Sequence, residues 1–236
     1  MTSFYNGGIS QEIFNLIGQA AALEDIIDAI TAWLGDKIPD ALISVMLYSE
    51  QEQTLNLIKE PAYFSREYIA ALKDLKIGPN VGACGAAAYH RRLVVCEDLL
   101  NDPNWVAYKD LVKQNGLRAC WSVPIAHGSG KLFGSFGTYY RSIKSPTPNE
   151  IDLLQYAASL IALTFELYEE RKKRNQLKDK YQSFFSFHPD AIFEHNLDGN
   201  IVDANLATKF FNEVGVKSHI GTKIDHFIEP EHRPLA

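Results

Sequence analysis

Cys84, Cys96 and Cys120 carry the sharpest intrinsic chemistry in this chain, and Arg118 is the natural partner for an anion. A thiolate can act as nucleophile, redox centre or soft metal ligand, but only in an electropositive setting that lowers the thiol pKa. A thiol without that setting is one of the most readily buried side chains, and three scattered cysteines fit such a core role. Their odd number leaves at least one thiol unpaired in any disulfide scheme. Arg118 offers five donors in a fixed fork, suited to clamping an anion. A salt bridge to Asp98 or Asp102 would occupy it equally well. His188, His195, His219, His226 and His232 crowd the C-terminal part, yet none forms a compact metal-binding pair of the HExxH kind, so surface histidines are expected. No Gly-rich phosphate loop and no Ser-His-Asp arrangement stands out.

The bulk composition sets limits on what these residues serve. An apolar share of 46% with 22% charged residues describes a globular chain able to bury a core. A net charge of −6 argues against nucleic acid as a partner. The one basic run, Arg171, Lys172, Lys173 and Arg174, is flanked by Glu169, Glu170 and Asp179 and reads as a solvated helix face. The opening MTSFYNGGIS has neither a charged n-region nor an apolar h-region, so no signal peptide is expected. The apolar stretch 157–165, interrupted by Ser159 and Thr164, reads as too short for a membrane span. A reduced, cytoplasmic location follows as the expectation.

The elements that must position these residues follow from periodicity. Ile13, Leu16, Ala20, Leu23, Ile27, Ile30 and Leu34 form one stripe, predicting a helix over 10–34 with Ser10 as cap and Gly35 as stop. Residues 41–48 and 54–59 read as a hairpin about the turn SEQEQ. A helix over 65–73, the breaker Gly78-Pro79-Asn80, a small-residue helix 84–90 and a strand 93–96 follow. Asp102-Pro103 opens a helix ending at Asn115-Gly116. Strands 117–126 and 132–141 flank the turn HGSGK, and a long helix starts near Pro148. Its heptads place Leu153, Leu160, Leu167, Arg174 and Tyr181 at one seam position, and Tyr156, Leu163, Glu170, Leu177 and Phe184 at the other. Such regularity predicts a parallel coiled coil and a homodimer through 10–34 and 150–185. A single helix packed on its own sheet accounts for the first half of that stripe. The class is α+β with an antiparallel sheet.

The runs GACGAAA, LVVCEDLLNDPNW, NGLRACWSVPI and GSGKLFGSFGTYYRSIKSPTPNEIDLL, in this order and spacing, resemble a GAF domain over about residues 10–170. The variant it resembles is common in bacterial multidomain sensors, including cyclic-di-GMP cyclases and phosphodiesterases and sensor kinases. The resemblance implies a sheet with the terminal helices on one face and a small-molecule pocket under short helices on the other. Strand alternation agrees with that arrangement. Leu117, Ala119, Trp121 and Val123 oppose Arg118, Cys120 and Ser122, while Leu132, Phe136 and Tyr140 oppose Ser135, Gly137 and Tyr139. The smaller, more polar face reads as a pocket floor, although a solvent-facing sheet would look the same. Arg118, Cys120, Ser122, Ser135 and Tyr139 are therefore candidate lining residues, joined by Cys84, Trp105 and Tyr108 from the covering segments.

Residues 182–234 resemble the first half of a PAS domain, with strands 191–196 and 200–203 about Asp198-Gly199 and with Asn205 opening the next helix. The layout is thus a GAF domain at 10–170, a coiled-coil linker at 171–185 and an incomplete PAS domain at 186–236. A two-stranded hairpin is marginal alone, so poor order is expected over 191–234. The function implied is a non-catalytic sensor that passes its signal along the long helix to an effector absent from this chain, with no cofactor or ligand named. Two rivals stand beside it. Free methionine sulfoxide reductase shares the Gly-x-Cys-Gly block at Cys84, but Gly137 and Tyr139 stand at its acidic positions and Cys120 at its glutamate. A ligand-free dimerisation module would instead show a filled, dry core. A bilin photoreceptor would carry a Cys-His pair, which this sequence lacks.

Overall fold

In the computed structural model, residues 11–126, 128, 130–211 and 220–224 are described. The Ser10 cap, His127 and Ser129 of the HGSGK turn, and His219, His226 and His232 lie outside them. The chain divides into two compact units at Glu169/Glu170.

The first unit opens with two helices where the stripe predicts one: α1, Gln11–Gly18, and α2, Leu23–Lys37. The break is a Schellman turn. Ala20 takes a left-handed φ of +58°, Ala20 N–H donates to Ile17 O at 3.3 Å, and Ala21 N–H donates to Leu16 O at 3.0 Å. The apolar stripe survives the break, because Ile13, Ile26, Ile27, Ile30 and Leu34 still share one core. Gly35 does not stop α2, which continues to Lys37 just before Ile38-Pro39.

The following elements are β1 (Leu42–Ser49), β2 (Thr54–Leu57), α3 (Arg66–Leu72), β3 (Leu75–Lys76), α4 (Gly82–His90) and β4 (Val94–Cys96). A 3₁₀ helix (Pro103–Tyr108), α5 (Lys109–Gln114), β5 (Ala119–Ala126), β6 (Leu132–Tyr140) and α6 (Pro148–Phe187) complete the series. The strands form one antiparallel sheet in the order β3-β2-β1-β6-β5-β4. Asp102 caps the 3₁₀ helix by accepting from Asn104 N–H at 2.8 Å, as Asp-Pro predicts. α6 begins with a reciprocal capping box. Thr147 N–H donates to the Glu150 carboxylate at 2.8 Å, and Glu150 N–H donates to Thr147 Oγ1 at 3.3 Å.

Each sheet face buries its own core. On one, Trp121, Val123, Phe136 and Tyr140 pack against α1, α2 and the first half of α6 through Ile30, Leu34, Leu154, Ala157, Ile161 and Phe165. Burying aromatic and aliphatic side chains of this size contributes about 1.5–3 kcal/mol each. On the other face, Met46, Leu55, Cys120 and Tyr139 pack beneath α3, α4, the 3₁₀ helix and α5. The α+β architecture with helices on both faces follows directly.

Two side chains depart from simple alternation. Leu132 joins the second face, because the β5/β6 register shifts between Ile125 and Ala126 and reverses the side-chain direction beyond it. Leu117 joins the same face: the strand begins only at Ala119, and Leu117 N–H is still bonded to Val112 O of α5. α6 is long and apolar enough, by length and composition, to cross a membrane. Its apolar stretch, however, is also the one that packs Leu154, Ala158, Ile161 and Phe165 into the first core.

In the second unit, the hairpin β7 (Phe193–His195) and β8 (Ile201–Ala204) closes at Gly199, with φ +79°, and is followed by a 3₁₀ helix, Leu206–Phe211. Asn205 ties it together: its carbonyl accepts from Ile192 N–H at 3.0 Å and its amide donates to Asp190 O at 2.8 Å. Residues 212–219 and 225–236 of the PAS-like stretch lie outside the described residues.

Candidate functional site

The second sheet face carries the candidate site, and small residues let its cover approach. All of α4 from Gly82 to Ala88 is buried. A Cβ on Gly137 would come within 2.8 Å of Cys84 Sγ and 3.3 Å of Ser44 Oγ, so a glycine in β6 is what allows α4 to lie against the sheet. Gly82 enters α4 with φ +53°, a backbone state that glycine adopts at little cost, and the Trp105 indole lies 3.6 Å from where its Cβ would stand.

Between this floor and the cover lies a cavity of about 20 Å³. Tyr68 and Leu72 of α3, Cys84 of α4, Trp105 and Tyr108 of the 3₁₀ helix, and Tyr139 of β6 are among its walls. That gap is room for about one water molecule. Aromatic rings meet around it at steep angles: Tyr68 to Tyr139 at 85°, Trp105 to Tyr139 at 82° and Trp105 to Tyr108 at 74°. The Tyr68 hydroxyl and the Trp105 indole N–H are buried without a hydrogen-bond partner of ordinary geometry.

Of the eight residues proposed from sequence, Cys84, Trp105, Tyr108 and Tyr139 line the cavity. Cys120, Ser122 and Ser135 lie beneath it in the buried floor. There Ser122 Oγ and Ser135 Oγ stand 2.7 Å apart, and Ser122 Oγ donates to Phe136 O at 3.0 Å. Arg118 does not line the cavity. Its guanidinium pairs with Asp98 Oδ1 at 3.2 Å, and its side chain is 37% exposed. Of the two roles its sequence left open, its side chain takes the ion pair, while its backbone N–H donates to Tyr140 O of β6 at 2.7 Å.

The thiols and hydroxyls of the floor shift in opposite directions. Cys84 Sγ lies 3.6 Å from the Tyr139 hydroxyl. Donation from the Cys120 thiol, followed by Ser122, Tyr139 and Ser135, outweighs burial and holds the Cys84 thiol below its ordinary value. Burial drives Cys120, Tyr68 and Tyr139 well up, so all three stay protonated at neutral pH. Burial likewise pushes the Cys96 thiol up to about 12. All three cysteines are buried and free. No Lys, Arg or His lines the cavity to supply the electropositive setting of a reactive thiolate. Among the described residues, no group of three or more His, Cys, Asp and Glu side chains is placed to hold a metal ion.

Two contributors escape a reading by strand alternation. Tyr68, on the predicted helix 65–73, turns inward to the cavity, and only the packing of α3 onto the sheet shows this. Asn115, legible only as a helix stop, latches α3 to α5. Its carbonyl accepts from Ser65 N–H at 2.8 Å, and its amide donates to Leu111 O at 2.8 Å and Ser65 Oγ at 3.3 Å.

Comparison with known proteins agrees with this arrangement. The GAF domain family model matches residues 20–166. A curated relative, the methyl sulfide methyltransferase-associated sensor of Methanosarcina acetivorans, is 22% identical over 194 residues. That match covers 82% of this chain but only 19% of the relative's length. The GAF domain of a phosphoenolpyruvate-protein phosphotransferase from Coxiella burnetii superposes with a TM-score of 0.55 at 18% identity, covering 71% of this chain and 99% of that one. Free methionine-R-sulfoxide reductase from Neisseria meningitidis, solved with its substrate, gives 0.52 at 17% identity, covering 69% and 89%. These structural likenesses concern the fold. With a two-layered site built from the motifs at Cys84, Trp105 and Tyr139, and a family match over most of its length, the chain belongs to the GAF domain family.

Proposed function

We propose that the first unit is a non-catalytic sensor that binds a small molecule in the cavity between the sheet and α3, α4, the 3₁₀ helix and α5. The observation that carries this reading is the covered, aromatic-walled cavity with two buried, unpartnered polar groups. Leaving such groups unmade costs about 1–3 kcal/mol each, which a bound ligand would recover. The sensor named among the relatives supports the same class of function. Binding would bias the packing of α1, α2 and α6 on the opposite sheet face, which requires different ligand affinities in two helix arrangements. α6 would carry that bias towards an effector beyond this chain, such as a cyclic-di-GMP enzyme or a histidine kinase, with the PAS-like second unit between them. The buried free thiols fit a reducing, cytoplasmic compartment.

A homodimer through the terminal helices belongs to this reading. Tyr156, Leu163, Leu177 and Phe184 are all exposed and recur at multiples of seven on α6, the spacing of a coiled-coil seam. The reductase reading is disfavoured by walls without Lys, Arg, His, Asp or Glu, since free methionine sulfoxide carries both an ammonium and a carboxylate. Thermal-shift screening against a metabolite collection, run beside an assay of methionine sulfoxide reduction with NADPH and thioredoxin, tests both. Stabilisation without turnover supports the sensor; turnover abolished by Cys84→Ser overturns it.

A further inference from the structure

The same cavity narrows the chemistry of what it can hold. No Lys, Arg, His, Asp or Glu side chain lines it, and Arg118, just before β5, is engaged by Asp98. An ion placed there would give up its hydration for walls with no basic or carboxylate side chain to replace it. Most of the lining is instead hydrocarbon and aromatic ring, including Leu72, Leu111, Tyr108 and Tyr139. Of its polar lining atoms, two are buried without a hydrogen-bond partner, the Tyr68 hydroxyl on a residue 2% exposed and the Trp105 indole N–H on a residue 4% exposed.

Their neighbours do not satisfy them. The indole N–H lowers the pKa of the nearby Cys96 thiol, yet it makes no hydrogen bond of ordinary geometry, and a thiol sulfur is a weak acceptor. The Tyr68 hydroxyl feels Tyr139, whose own hydroxyl stands by Cys84 Sγ. An indole N–H can only donate, so whatever completes it must present an acceptor. A cation would suit the ring faces but would face that same donor.

We propose that the cavity takes a small, uncharged, mostly apolar molecule bearing a hydrogen-bond acceptor, held by the Tyr68 hydroxyl and the Trp105 indole N–H. The proposal rests on the reading of this cavity as a ligand site. Because the present gap holds about one water, any larger ligand must move the cover, whose α3 and α5 are latched by Asn115.

The test uses the full chain and four probes: acetophenone (neutral, with an acceptor), ethylbenzene (neutral, without one), benzoate (an anion) and tetramethylammonium (a cation). Binding is read from melting temperature and from the indole N–H resonance of Trp105 in a ¹⁵N-labelled sample, identified by its loss in Trp105→Phe. The expected result is that acetophenone binds about tenfold tighter than ethylbenzene, the worth of one net hydrogen bond, and shifts that resonance. In Tyr68→Phe, which keeps the ring, the preference shrinks. Stronger binding of benzoate or tetramethylammonium at the Trp105 signal overturns the ligand class while leaving the pocket standing. No response to any of the four also overturns the ligand class and leaves water as the occupant. The pocket reading falls with it only when a broad metabolite screen is equally silent.

Discussion

Asn115 shows how much of the site rests on a residue whose sequence context marks it only as a helix end. Its side chain makes three hydrogen bonds, two across the cover to Ser65 N–H and Ser65 Oγ and one back to Leu111 O of its own helix. Asn115→Ala strands the Ser65 N–H and should cost about 1–3 kcal/mol, read as a lower denaturant midpoint with an unchanged slope. Gly137→Ala probes the floor directly. Its new methyl would stand 2.8 Å from Cys84 Sγ, so α4 must lift, at a cost of about 1–3 kcal/mol measured the same way. Wild-type stability in that variant would contradict the close approach described. The floor residues Cys120, Ser122, Ser135 and Tyr139 were legible because alternation holds inside β5 and β6. Arg118 and Leu132 were not, since both sit where a strand starts or its register shifts, and period-two reasoning stops there.

At the scale of elements, periodicity found nearly every helix and strand of the first unit but not their interruptions. The stripe 10–34 is continuous in hydrophobicity, whereas the break at Ala20 is a backbone event that apolar spacing does not encode. An alanine at φ +58° bears strain that glycine avoids, so Ala20→Gly should stabilise the protein by about 0.5–1 kcal/mol, seen as a raised melting temperature. Glu150 anchors the start of α6. Burial raises its carboxyl, but Lys144, at 2.8 Å, and the Thr147 N–H and hydroxyl outweigh this and hold it below the ordinary 4.5. A carboxylate lowered in the folded state stabilises fully above its unfolded value, and that stabilisation is lost as pH falls through the folded value. Glu150→Gln should therefore cost about 1 kcal/mol at pH 7, and the gap from wild type should close below pH 4.5. A gap independent of pH would remove the carboxylate from the account.

At the scale of the whole molecule, the first unit carries a covered cavity on one sheet face and a helical layer on the other, in a chain spanning 19% of its curated relative's length. The family was legible from four motif blocks because each answers a packing need of this fold: small residues in α4, the capped 3₁₀ helix, and glycines in β6. The ligand was not, because its chemistry depends on which side chains α3 and the 3₁₀ helix turn inward. The exposed seam of Tyr156, Leu163, Leu177 and Phe184 predicts a dimer in sedimentation at micromolar concentration, weakened by Leu163→Glu. A wild-type monomer at high micromolar concentration would sink that part alone. The central claim, a ligand in the cavity, is tested most directly by native mass spectrometry of freshly purified protein. The prediction is an added small-molecule mass at one per chain, absent after denaturation and depleted in Tyr68→Phe. Only the bare chain mass, together with no thermal shift across a metabolite collection, would contradict it.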